Sequence, residues 1–94
     1  MTINLERAVE HLEKLAMELE NRRFAVRMHA PRDRAPHLNV INTAAPVLTE
    51  KVLAAPDSDG TWAFHFPWPQ LIAPVHDIRA AADRIERVLA EVDR

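Results

Sequence analysis

The chain has 94 residues, 48% of them hydrophobic, and a formal net charge of −2. That is one domain, spanning 1–94, with enough apolar content to exclude wholesale disorder and no general charge-driven attraction to nucleic acid or an anionic membrane. There is no cysteine and one glycine, Gly60, so disulfides, thiolate catalysis, thiolate metal sites and multi-glycine phosphate loops are all excluded.

The first element predicted is a helix over about Asn4 to Asn21. Leu5, Ala8, Val9, Leu12, Leu15, Ala16 and Leu19 fall at the three-and-four spacing of one buried stripe, while Glu10, Glu13, Lys14, Glu18 and Glu20 form a solvated outer face. Thr2 or Asn4 is placed to cap its start. The period then drops to two. Phe24, Val26 and Met28 alternate with Ala25, Arg27 and His29 in a first strand, and Pro31 to Pro36 makes a polar loop. A second strand runs from His37 to Asn42, and a third from about Val47 to Ala55 with Leu48 and Val52 facing inward. Pro56-Asp-Ser-Asp-Gly60 has hairpin chemistry, with Gly60 the one residue that takes positive φ without steric cost.

The fourth strand carries three of the chain's five aromatic residues, Trp62, Phe64 and Phe66, separated by Ala63 and His65. Trp68 follows between two prolines, where strand pairing through the backbone stops. Pro67 to Val75 is expected as an ordered irregular crossing or a short edge strand. Asp77 then caps a second helix reaching about Val92, with Ile78, Ala81, Ala82, Ile85, Val88, Leu89 and Val92 as its buried stripe and Asp83–Arg87 as a surface pair. The order α-β-β-β-β-α with short strand connections predicts an α+β two-layer sandwich: an antiparallel meander with both helices on one face.

That arrangement leaves the opposite face to Arg27, His29, His37, Asn39, Ile41, Thr49, Lys51, Leu53, Ala63 and His65. It is polar enough to be wet, with Ile41 and Leu53 as apolar islands. Three histidines on one face raise the question of a metal. His65 stands two strands from His37, roughly 10 Å at about 4.8 Å per strand, so the three do not converge on one ion. No metal and no cofactor are expected. Ser58, the only serine, lies in the hairpin turn without a histidine to activate it, and no catalytic constellation is found.

Five arginines between Arg22 and Arg34 stand against one acid, whereas the first helix is acidic, so the molecule is electrically polar. The aromatic residues are committed to the core, which argues against base stacking and hence against nucleic acid. An acidic protein partner or a solvated rim is expected instead. Trp68, held by prolines on both sides, is the leading contact residue, against the plainer reading that it folds back over the sheet edge.

The runs Pro36-His-Leu-Asn-Val-Ile-Asn42, Leu48-Thr-Glu-Lys-Val52, Gly60-Thr-Trp-Ala-Phe64 with Trp68, Ile72-Ala-Pro74 and Ala80 to Leu89 resemble a group of small actinobacterial proteins with no assigned activity. Arginine outnumbers lysine ten to two and alanine occurs fifteen times, as a GC-rich genome produces. The element order is also similar to that of small secretion-chaperone-like dimers. The sequence therefore predicts a cytoplasmic, non-enzymatic protein-interaction module of adaptor or chaperone type, homodimeric. Trp68, Ile41, Leu53 and Arg27 would contact the partner. The alternative is a small anionic-ligand-binding protein or enzyme using Arg27, His29 and His37. No membrane partner is expected.

Overall fold

The structure, a computed structural model, describes residues 5–32, 35–68 and 70–90. Its elements in chain order are α1 (Leu5–Asn21), β1 (Phe24–His29), β2 (His37–Asn42), β3 (Thr49–Pro56), β4 (Trp62–His65), β5 (Leu71–Pro74) and α2 (Ile78–Val88). The strands form one antiparallel meander in the order β1-β2-β3-β4-β5. This is the expected α+β architecture with one strand more than four. The segment after Trp68 takes the second of its two expected forms: β5 pairs with β4 at the sheet's edge, with a register shift at Phe64/His65.

Cross-strand partners share a face of a sheet, so the pairing sorts the strand residues into two sets. Val26↔Val40, Met28↔Leu38, Leu38↔Val52, Ala54↔Phe64 and Phe64↔Ala73 place one set on the core side. Leu38, Val40, Val52, Ala54 and Phe64 join Ala8, Leu12, Leu15 and Leu19 of α1 and Ala81, Ala82 and Ile85 of α2 in a single buried cluster. Leu48 packs against this cluster, as do Phe24, Val26, Met28 and Trp62. Each fully buried large side chain stabilises the fold by about 1.5–3 kcal/mol relative to exposure.

The element ends have specific causes. Asp77 accepts the Ala80 backbone N–H at 3.1 Å and caps α2 as expected. The β3–β4 turn closes through Asp57 N–H to the Thr61 carbonyl at 2.7 Å and Gly60 N–H to the Asp57 carbonyl at 2.9 Å, with Gly60 at φ 87°. A second positive φ, 73°, falls on Arg23, where α1 turns into β1. The sequence gives no warning of it, since helices usually end this way on glycine or asparagine. Helix α2 ends at Val88, which is exposed and not part of the buried stripe; Leu89 is buried just beyond it. The Asn42 side chain donates to the Leu89 carbonyl at 2.7 Å and meets one of that helix end's orphan acceptors. The proposed capping residues of α1, Thr2 and Asn4, and Val92 of α2 lie outside the described residues.

The two helices are tied by one cation. Arg22 donates from Nε to Glu18 at 2.9 Å, and from Nη1 to Asp83 at 2.6 Å and Glu86 at 3.1 Å. Asp83 thus pairs with Arg22, just past the end of α1; the Asp83–Arg87 surface pair expected from spacing is not among the ion pairs found. Hydrogen bonding to Asp83 foremost, and to Glu18, raises the Arg22 pKa further above its already high ordinary value.

Candidate functional site

The second set of strand residues forms a face that the core cluster does not reach. Ala25, Arg27, His29, His37, Asn39, Ile41, Thr49, Lys51, Leu53, Ala55 and His65 are all exposed or half-buried. Only the small Ala63, between Ala55 and Pro74, is buried there. Register arranges this face in rows across the sheet. One row is His29, His37, Leu53, His65 and Leu71; the next is Arg27, Asn39 and Lys51; the last is Ala25, Ile41 and Thr49.

His37, Leu53 and His65 of the first row border a concavity of about 570 Å³. Leu53, Ala55, Pro56, Phe66 and Pro67 supply its apolar lining, and His37, Lys51 and His65 its polar rim. Its size lies within the ordinary range for small-molecule clefts. Phe66 is buried beneath it and stacks on Trp68, with ring centroids 4.6 Å apart and planes 13° from parallel. The Trp68 indole Nε1 donates to the Gln70 side-chain oxygen at 2.8 Å. Trp68 therefore does both things expected of it in part: one ring face rests on Phe66, yet the residue stays 44% exposed. Leu71, 47% exposed, adds a second apolar contact opposite His65.

The predicted partner residues are only partly brought together. Leu53 lines the concavity, and Trp68 stacks on its Phe66 wall. Ile41 pairs with Thr49, four residues along β3 from Leu53, about 13 Å away at 3.3 Å per residue. Arg27 is exposed on the edge strand β1, in the middle row. Of the alternative trio, His29 and His37 do meet, with rings stacked at 5.1 Å and 12°. Stacked imidazoles turn π faces to one another, so their in-plane lone pairs do not converge. Arg27 stands one row away, and neither it nor His29 lines the concavity. The concave site lies on the other side of His37, toward β3 and β4. Sequence reasoning placed Lys51, Leu53 and His65 on this face but missed the concavity, because its wall depends on how Phe66 and Pro67 leave β4. It also missed Leu71, which reaches the face only through the register shift.

Charge on this face has one sign. Its strand residues include Arg27 and Lys51 and no aspartate or glutamate. The ion pairs among the described residues all centre on Arg22, so none uses Arg27 or Lys51. The turn at the end of β3 is acidic, but Asp57 accepts the Ser58 N–H at 2.8 Å and Asp59 the Thr61 N–H at 3.0 Å. The bonds to Thr61 hold the Asp59 carboxyl below the ordinary carboxylate range. Ser58 is exposed in this turn. Among the described residues no group of three or more His, Asp or Glu is placed to hold a metal ion.

Another histidine sits in the helical layer. The His11 ring lies 5.3 Å from Trp62, its Nε2 is buried without a hydrogen-bond partner, and Arg7 stands 5.8 Å over the same indole. Burial, then Arg7 and Lys14, lower the His11 pKa, with Glu10 opposing. Its role is packing of α1 on the sheet. No family model, curated protein or solved structure matches the chain, and no helix among the described residues is long and apolar enough to cross a membrane.

Proposed function

We propose that this chain is a non-enzymatic protein-interaction module, adaptor or chaperone-like and homodimeric, acting in the cytoplasm through the open face of its sheet. The observation that carries this reading is an uncovered apolar site. The concavity around Leu53 sits beside Trp68 and Leu71, both exposed. Apolar side chains clustered at one end of a wet face mark contact surfaces, and an indole already held by stacking loses little freedom on binding. The test is self-association followed by sedimentation equilibrium and by amide chemical shifts over a concentration series. The expected result is a dimer whose interface shifts map to β3, β4 and Trp68, weakened by Trp68→Ala and by Leu53→Glu. A monomer at every concentration, with unmoved open-face signals, refutes the homodimer.

A second reading, a small-anion binder, is favoured by one observation: the His29–His37 stack one row from Arg27. A thermal-shift screen of anionic metabolites separates the two. A stabilisation that disappears in His37→Ala selects the anion binder, and a flat screen removes it.

A further inference from the structure

We propose that the segment received by the open face is acidic and apolar together: an apolar side chain seated over Leu53 and Ala55, with a carboxylate close to it in the segment held over Lys51. The proposal rests on the reading that the open face is the working surface, and adds the chemistry of what the face binds.

Two observations carry it. The first is charge segregation. A chain of net charge −2 holds no carboxylate on the strand positions of this face, while its acids crowd the helical layer, Glu6, Glu10, Glu13 and Glu20 on α1 among them. A surface left with one sign of charge selects partners of the other sign and speeds their encounter. The second is spacing. Ala55, Leu53 and Lys51 are alternate residues of β3 and so project from one face at steps of about 7 Å. Polarity changes along this line from methyl and isobutyl to ammonium. A segment whose leucine or phenylalanine fills the apolar end brings an adjacent or next-but-one carboxylate to the Lys51 end. Arg27 lies in the same row as Lys51 and offers a second carboxylate position across Asn39.

Nucleic acid fits less well. The face has two cationic side chains, Arg27 and Lys51, and the large aromatic rings at its apolar end, Phe66 and Trp68, are stacked on one another. Phosphate tracking needs a longer basic groove, and base stacking needs open rings.

The experiment is a set of amide chemical-shift titrations of the intact chain, at concentrations below its self-association, with three capped peptides: two glutamates followed by leucine and phenylalanine, the same peptide with lysines for glutamates, and the glutamate peptide with serines for its apolar residues. The first should move the signals of Lys51, Leu53 and His65; the other two should not. Lys51→Glu should weaken the first peptide about tenfold and Lys51→Gln about threefold, and added salt should weaken it further. Equal binding of the lysine peptide at these residues overturns the charge inference but leaves the open-face reading standing. A tighter fit of oligothymidylate at the same residues overturns it in favour of nucleic acid. No shift with any peptide overturns it as well, and the open-face reading is then judged by its own dimer test.

Discussion

Replacing Arg22 with methionine tests whether one guanidinium fastens the two helices. Methionine keeps the aliphatic packing and removes the charge and the donors. The contact to Glu18 is an i,i+4 helix pair, worth a few tenths of a kcal/mol. Those to Asp83 and Glu86 share Nη1, and both carboxylates are more than half exposed, which limits the pair to about 1 kcal/mol together. The variant also leaves three carboxylates facing one another. The expected loss is therefore about 1–1.5 kcal/mol at low salt, and a melting temperature lower by about 4–12 °C. Urea unfolding at low salt and at about 1 M salt, where the screening length falls to about 3 Å, should show the loss shrinking substantially. Arg22→Lys should recover only part of it, since a single ammonium cannot reproduce Nε and Nη1 donation in two directions. A loss below about 0.3 kcal/mol, or one indifferent to salt, refutes the fastening role.

Other substitutions probe the core, a titration and a backbone strain. Phe64→Ala removes a fully buried ring of β4 and should cost about 3–5 kcal/mol by denaturant unfolding, enough to threaten folding in a domain this small. Burial lowers the His11 pKa from the ordinary 6.5 and so favours its neutral form in the folded chain; the unfolded chain takes up the proton more readily. Its contribution is thus complete above about pH 6.5 and is lost as pH falls from there toward the folded value. Stability curves of the wild type and His11→Phe should diverge in that window, and parallel curves would count against the assignment. Arg23→Gly relieves a left-handed conformation that costs a side chain about 1–2 kcal/mol. It should raise stability by up to about 1 kcal/mol, while Arg23→Val should lower it.

Much of this fold is legible in the chain because its signals are local. The stripe of α1, the two-residue period of β1, β2 and β4, the Asp77 cap and Gly60 at positive φ each depend on residues a few positions apart. What was not legible depends on distant partners. Arg22 reads as one of a basic run until the fold brings Asp83 and Glu86, 61 and 64 positions away, onto it. Asn42 reads as a strand end, yet it satisfies the end of α2. Val88 fits the apolar period of α2 but is exposed at the last turn, where the helix stops before Leu89. For the site, the composition of the open face follows from alternation alone, whereas its concavity follows from the path of Phe66 and Pro67 after pairing with β3 ends. The pairing of His29 with His37 needed only the hairpin register; the separation of both from the apolar site needed the third dimension.

Most directly at issue is whether one side of the sheet is bare while both helices feed the core on the other. Addition of a soluble paramagnetic chelate to methyl-labelled protein, diluted until it is monomeric, reads this residue by residue along β2 and β3. Ile41, Thr49, Leu53 and Ala55 should broaden strongly while Val40, Val52 and Ala54 remain sharp, an alternation of period two. Equal protection of both sets, or broadening of Val52 and Ala54 with Leu53 sharp, would contradict the account.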